Sequence, residues 1–126
     1  MDKKILIVDD DEFLLDMYAL KFKESGFEVS ACRGGEEALK KIREGLKPNI
    51  MLLDIVMPVI DGFEVLRLLK KDKLAEGAVI VILTNLGQKE DVEKGMRMGA
   101  NDYIVKAHFT PSDVVGRISS LLQNKK

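Results

Sequence analysis

With 126 residues, 46% hydrophobic and 33% charged, the chain has the size and make-up of one soluble globular domain that buries roughly two-thirds of its unfolded surface, which excludes a mainly disordered protein. Twenty Lys and Arg against 21 Asp and Glu leave a formal net charge of −1, so no basic field exists to hold a phosphate backbone and direct nucleic-acid binding is excluded. The longest apolar run, Ala78 to Leu83, is far below the roughly 20 residues that span a bilayer, the start Met1-Asp2-Lys3-Lys4 lacks a signal-peptide core, and the lone Cys32 cannot form an internal disulfide, so membrane insertion is excluded and a reducing cytoplasm is expected.

In chain order, Ile5 to Val8 is a short, continuous, β-branch-rich run, the pattern of a parallel strand covered on both faces. Leu14, Tyr18 and Phe22 then recur at helical spacing, and Gly26 supplies the residue that ends the first helix. That helix holds more apolar residues than one core stripe can bury, so Phe13 and Leu20 are expected to face solvent or a partner. Phe27 to Ala31 alternates, as a half-exposed edge strand does, and Ala38 and Ile42 mark a second helix.

Ile50 to Leu53 and Ala78 to Leu83 are further central strands, separated by a helix carrying Val65, Leu66 and Leu69. The fourth helix, about Lys89 to Met98, presents Val92 and Met96 and contains Gly95. With Gly87 just before it, it is expected to be the loosest, because each internal Gly costs roughly 1 kcal/mol against Ala. Tyr103 to Val105 suits the other edge, and Thr110, Pro111 and Asp113 open the last helix with a capping hydroxyl, a Pro at its first position and an acid. Strict alternation of strand and helix predicts a single doubly wound α/β domain over 1–126, with five parallel strands, helices on both faces and no output domain.

In such sheets functional groups gather beyond the carboxyl ends of the strands. The first strand ends in Asp9, Asp10 and Asp11, the third in Asp54, the fourth in Thr84 and the fifth in Lys106. Two unit charges about 4 Å apart repel by roughly 4 kcal/mol at an effective dielectric near 20, so the acids require a cation or a raised pKa. A divalent ion meets that need, and all-oxygen ligands with room for water and phosphate select Mg2+. A carboxylate beside the ion can serve as nucleophile toward a phosphoryl group, with Lys106 and Thr84 stabilising the charge.

Val8-Asp9-Asp10, the run Asp54-Ile55-Val56-Met57-Pro58-Val59-Ile60-Asp61-Gly62, Leu83-Thr84, and Gly99 to Lys106 together resemble the successive motifs of the response-regulator receiver domain, in order and across the whole chain. The resemblance implies a flavodoxin-like fold with strand order 2-1-3-4-5, an order the family itself exemplifies. It implies that Asp54 accepts a phosphoryl group from a histidine kinase or histidine phosphotransfer protein, and that Asp9, Asp10, Asp54 and the Val56 carbonyl hold Mg2+. Thr84 and Lys106 would contact the phosphoryl oxygens, and Tyr103 would be the switch aromatic that follows Thr84. Output to a downstream protein is expected through the fourth helix, fifth strand and fifth helix, with a homodimer left open. The chain departs from the family pattern at Ala107, where proline is usual after the lysine, and mildly at Ile60. Lys106-Ala107 is expected to be trans, since a cis bond without proline costs roughly 3 kcal/mol.

Plainer roles are assigned to other residues. Asp11 and Asp61-Gly62 read as caps and turn, His108 as solvated, Cys32 as a strand residue, and Met51, Met96 and Met98 as packing. Lys40-Lys41, Lys70-Lys71 and Lys125-Lys126 read as charge pairs on polar faces. The alternative function is a Mg2+-dependent phosphohydrolase using Asp9 and Asp11 as a D-x-D pair, against which Phe13 stands where Thr or Val is needed. A flavin or dinucleotide binder lacks its Gly-rich phosphate loop here.

Overall fold

The computed structural model describes residues 3–124, so the pair Lys125-Lys126 lies outside the described residues. The elements alternate as β1 (Lys4–Val8), α1 (Glu12–Glu24), β2 (Glu28–Cys32), α2 (Gly35–Arg43), β3 (Ile50–Leu53), α3 (Gly62–Lys71), β4 (Val79–Thr84), α4 (Lys89–Arg97), β5 (Asp102–Val105) and α5 (Pro111–Gln123), with a 3-10 turn over Lys106–His108 before α5. The five strands form one parallel sheet in the order β2-β1-β3-β4-β5, as expected, with β2 and β5 at the edges. The elements differ from the sequence reading mainly by a residue or so at their ends.

Because successive strand residues point to opposite faces, the sheet sorts its side chains into two cores. Ile5, Ile7, Ile50, Leu52, Val81, Leu83 and Ile104 face α1 and α5, where they meet Leu15, Tyr18, Phe22, Val114 and Ile118. Leu6, Val8, Met51, Leu53 and Ile82 face the opposite side, against Ala38, Leu39 and Ile42 of α2 and Val65, Leu66 and Leu69 of α3. The apolar surplus of α1 resolves as anticipated, with Phe13 72% and Leu20 55% exposed. Leu14 is only partly buried, and Leu15 takes its place in the buried stripe. At the other end of the chain, Thr110 and Asp113 form a reciprocal capping box and Pro111 follows at the first helical position.

The fourth helix corrects the sequence reading. Val92 is only partly buried and Met96 is 43% exposed, so neither forms the core face, and Met96 is not packing. The buried residue of α4 is Gly95. A Cβ there would meet Ile82 Cδ1 at 2.5 Å and the Tyr103 ring at 3.2 Å. The glycine lets the helix lie close against β4 and β5, so its absent side chain is a packing requirement as well as an entropic cost.

Candidate functional site

The strand ladders run past the ends of β1 and β3. Asp9 N–H donates to the Cys32 carbonyl at 3.0 Å and Asp54 N–H to the Val8 carbonyl at 3.0 Å. By the two-residue period, Asp9 continues the column Ile5-Ile7, Asp54 the column Ile50-Leu52, and Lys106 follows Ile104, all on the α1/α5 side. Thr84 and Tyr103 continue the opposite face, below α4. The carboxyl edge of the sheet thus gathers two acids and a lysine from one face, and a hydroxyl and a phenol from the other.

Asp9 and Asp54 are 2% and 6% exposed, and Thr84 is equally enclosed. The Lys106 ammonium bridges the acids, 2.7 Å from Asp9 Oδ2 and 2.9 Å from Asp54 Oδ2, with all three side chains almost fully buried. Burial pushes the Asp9 carboxyl above its usual range, opposed by its hydrogen bonds from Lys106 and the Asp11 N–H. Burial also works against the Lys106 charge, but the hydrogen bonds to Asp9 and Asp54 prevail and its pKa ends above the usual lysine value. The remaining oxygens are held by backbone: Asp11 N–H donates to Asp9 Oδ1 at 2.9 Å and Ile55 N–H to Asp54 Oδ1 at 2.7 Å. No sequence signal could have found these donors, because every residue except proline carries one.

Asp10 is exposed, and one carboxylate oxygen from each of Asp9, Asp10 and Asp54 lies within 4.8 Å of the others. These donors are all hard oxygens, the chemistry that suits Mg2+ over a softer metal. Val56 is 62% exposed beside them. Asp11 is spent on capping α1, accepting from Leu14 N–H at 3.1 Å, as its plainer reading expected. Asp61 caps α3 in the same way through Glu64 N–H at 2.9 Å.

On the far face, Thr84 Oγ1 accepts from Leu86 N–H at 3.4 Å, and the Tyr103 hydroxyl donates to the Leu86 carbonyl. Burial, reinforced by Asp91 and Asp54, pushes the Tyr103 phenol up to about 12. Among the described residues no peptide bond is cis, so Lys106-Ala107 is trans and the lysine reaches both acids without the usual proline. Ile60 does more than occupy a turn. Its side chain fills the space in front of Gly35, whose missing Cβ would lie 2.9 Å from Ile60 Cγ1. His108 is exposed, as expected. Cys32 is fully enclosed at the end of β2, with its thiol pushed up to about 11 by burial.

The family model of the response regulator receiver domain matches residues 5–119. The chain belongs to this family. All of it aligns with 51% of the alkaline phosphatase synthesis transcriptional regulatory protein PhoP of Bacillus subtilis at 37% identity, and with 53% of the DNA-binding response regulator MtrA of Mycolicibacterium smegmatis at 36%. The chain therefore spans about half the length of the curated relatives it matches. A CheY-like response regulator receiver domain protein from Methanospirillum hungatei superposes with a TM-score of 0.89 at 31% identity, covering 99% of this chain and 97% of the other. The BeF3-activated DrrB receiver domain, from Thermotoga maritima, gives a TM-score of 0.84 at 30% identity, covering 98% and 100%.

In this receiver domain the approach of α3 to the acid site depends on Gly62. A Cβ there would lie 2.3 Å from the Asp54 carbonyl oxygen and 2.8 Å from the Ile55 Cα, backbone atoms that cannot step aside as a side-chain tip can. Gly62→Ala is expected to cost about 2 kcal/mol or more by overpacking, outweighing any gain in helix propensity. Urea denaturation measures it, and a variant as stable as the parent would show that the β3–α3 loop yields freely.

Proposed function

We propose that the domain is a phosphorylation-dependent switch in a two-component phosphorelay, in which Asp54 accepts a phosphoryl group from a histidine kinase or histidine phosphotransfer protein. The observation that carries this reading is a nearly buried carboxylate at the end of a central strand, bonded to a buried lysine and flanked by two further acids. An Asp54 oxygen bonds to phosphorus as the bond from phosphorus to the donor imidazole nitrogen breaks, and the electron pair leaves with the imidazole. Asp9, Asp10, Asp54 and the Val56 carbonyl are the groups that would hold Mg2+. Its charge, when bound, offsets that of the phosphoryl oxygens. Lys106 and the Thr84 hydroxyl supply further donors to the transferred group. The domain then acts only on itself, catalysing its own phosphorylation and dephosphorylation. The similar DrrB receiver domain takes a BeF3-activated form, and a beryllium trifluoride group on a carboxylate oxygen has the tetrahedral shape of a phosphoryl group, which supports the same reading.

The phosphohydrolase alternative loses its second carboxylate, because Asp11 is exposed and engaged in the α1 cap. The test is intact-mass spectrometry after incubation with Mg2+ and a small phosphodonor such as acetyl phosphate. One phosphoryl group per chain is expected, and excess chelator should abolish its addition. An unchanged rate in chelator would overturn the metal assignment.

The same reading places the output on α4, β5 and α5. Thr84 and Tyr103 both contact Leu86, which leads into α4, so a phosphoryl group that draws Thr84 away from Leu86 N–H also disturbs the acceptor of the Tyr103 hydroxyl. Arg117 of α5 donates to both Asp102 oxygens of β5, at 2.8 and 2.9 Å, which ties these two elements together. The relatives are named as transcriptional and DNA-binding regulators, while the net charge of −1 favours a protein partner over DNA for this segment. Amide exchange across 87–103 is expected to change on phosphorylation, and an identical exchange map would count against this face.

A further inference from the structure

The five residues that directly follow the five strands are Asp9, Arg33, Asp54, Asn85 and Lys106. Phosphoryl acceptance by Asp54 employs the two acids and the lysine, and leaves Arg33 without a role. Its place is fixed by the ladder between β1 and β2. Val8 stands opposite Cys32 in register, and Asp9 N–H donates to the Cys32 carbonyl at 3.0 Å, so Arg33 comes beside Asp9 at a strand spacing of about 4.8 Å. Val8 and Cys32 both face α2 and α3, so the residues after them turn to the side of α1. The Arg33 side chain does so, with a guanidinium nitrogen 3.5 Å from the Glu12 carboxylate at the start of α1. Arg33 N–H donates to Glu37 Oε1 at 3.1 Å, which anchors the backbone and leaves the side chain to swing.

The two cations of the sheet edge differ in access. The Lys106 side chain is 8% exposed and held between Asp9 and Asp54, whereas the Arg33 side chain is 63% exposed and its partner Glu12 is 65% exposed. An exposed pair of this kind contributes little and is screened by salt, so Glu12 restrains the guanidinium only loosely. A phosphoryl donor arrives as an anion where Asp9, Asp10 and Asp54 gather, with Asp11 and Glu12 next in the chain, and these acids repel it. A solvent-facing guanidinium at that edge offsets the repulsion. Only β1 separates β2 from β3, so Arg33 and Asp54 stand about 10 Å apart, a gap that an arginine side chain and an incoming phosphoryl group close between them.

We propose that Arg33 is a donor-binding residue, its guanidinium leaving Glu12 to draw the donor's phosphoryl anion toward Asp54. This rests on the phosphoryl-acceptor reading above and adds the encounter with the donor to it. The charge of the arginine acts on the phosphoryl oxygens, so a leaving group of acetate or of imidazole is served alike.

The test uses the full chain at saturating Mg2+, with the phosphorylation rate followed against acetyl phosphate concentration at low and at high KCl. Arg33→Gln is expected to reduce the initial slope about threefold at about 50 mM salt, and the deficit should vanish near about 500 mM, where charges are screened within a few ångströms. Arg33→Lys keeps the charge and should recover most of the slope. Phosphoimidazole, which presents the phosphoryl group on the ring of a histidine donor, should show the same fold change as acetyl phosphate. Calorimetric titration gives a readout of opposite sign, because Arg33→Gln removes a cation beside Asp9 and Mg2+ should then bind about twofold more tightly. A parental slope in Arg33→Gln, a deficit that persists at high salt, no recovery in Arg33→Lys, or slowing confined to acetyl phosphate would overturn the proposal. Weakened Mg2+ binding in Arg33→Gln would overturn it too, by marking a structural role. A parent that incorporates no phosphoryl group would overturn the underlying reading, and this is seen before any variant is made.

Discussion

Replacing Lys106 with methionine is expected to slow phosphorylation of Asp54 by roughly 100-fold, the usual cost of losing one preorganised donor to a developing anion, while tightening Mg2+ binding. The opposite signs follow from the position of the ammonium, which bridges Asp9 and Asp54 and would compete with a cation for their oxygens. In chelator the variant should also lose about 3 kcal/mol of stability at neutral pH, because it leaves two buried carboxylates with no compensating charge. Mg2+ should restore most of that loss.

The pH dependence separates the two partners. Burial already holds the Asp9 carboxyl above its usual 3.8, so its favourable contribution is complete below 3.8 and is lost as pH rises through the folded value. Lys106 has the complementary behaviour, with a folded pKa above 10.5, so its contribution is complete below 10.5 and lost only as pH climbs beyond. Without Lys106, the Asp9 carboxyl should rise further, and the loss of stability as pH climbs through its folded value should steepen. Urea denaturation between about pH 4 and pH 7 reads this. A variant that phosphorylates at the parental rate and binds Mg2+ no more tightly would remove Lys106 from the account.

The second large effect concerns the lifetime of the phosphoryl group. Val56 and Leu86 stand two residues beyond Asp54 and Thr84, and both are apolar. Val56 is largely exposed and Leu86 half-buried, and the family resemblance implies that both positions flank the approach of water to the phosphoryl group. An attacking water must be positioned and partly deprotonated, which polar side chains assist and aliphatic ones do not. Hydrolysis in the parent should therefore be slow, and the double variant Val56→Asn, Leu86→Glu should lose phosphate at least about tenfold faster. The Leu86 backbone contacts to Thr84 and Tyr103 do not depend on its side chain. Decay of the phosphorylated form in Mg2+, followed by mass spectrometry, measures the lifetime. Equal lifetimes, with fold and phosphorylation intact, would assign the rate to the metal, Thr84 and Lys106 alone.

Much of this architecture is legible in the sequence because two periodicities carry it. Continuous apolar runs mark β1, β3 and β4, alternation marks β2 as an edge, and strand ends mark Asp9, Asp54, Thr84 and Lys106 as neighbours, which the structure brings to one edge of the sheet. The failures have a common physical origin in contacts between elements. Periodicity selects Met96 for the core of α4, but the helix approaches the sheet through Gly95, and a side chain that is absent leaves no apolar signal. Leu14 and Leu15 are chemically identical, and only the rotation of α1 on the sheet decides that Leu15 is buried. Ile60 reads as a mild change in a turn, because nothing in the chain order brings it to Gly35, more than twenty residues away.

The residue that carries the phosphoryl group decides what this domain does. After incubation with acetyl phosphate and Mg2+, reduction with borohydride converts an aspartyl phosphate to homoserine, which marks the site for peptide mapping by mass spectrometry. The mark is expected at Asp54 alone, with no phosphoryl incorporation in Asp54→Ala. A mark on any other residue, or undiminished incorporation in Asp54→Ala, would contradict the assignment of Asp54 as the acceptor.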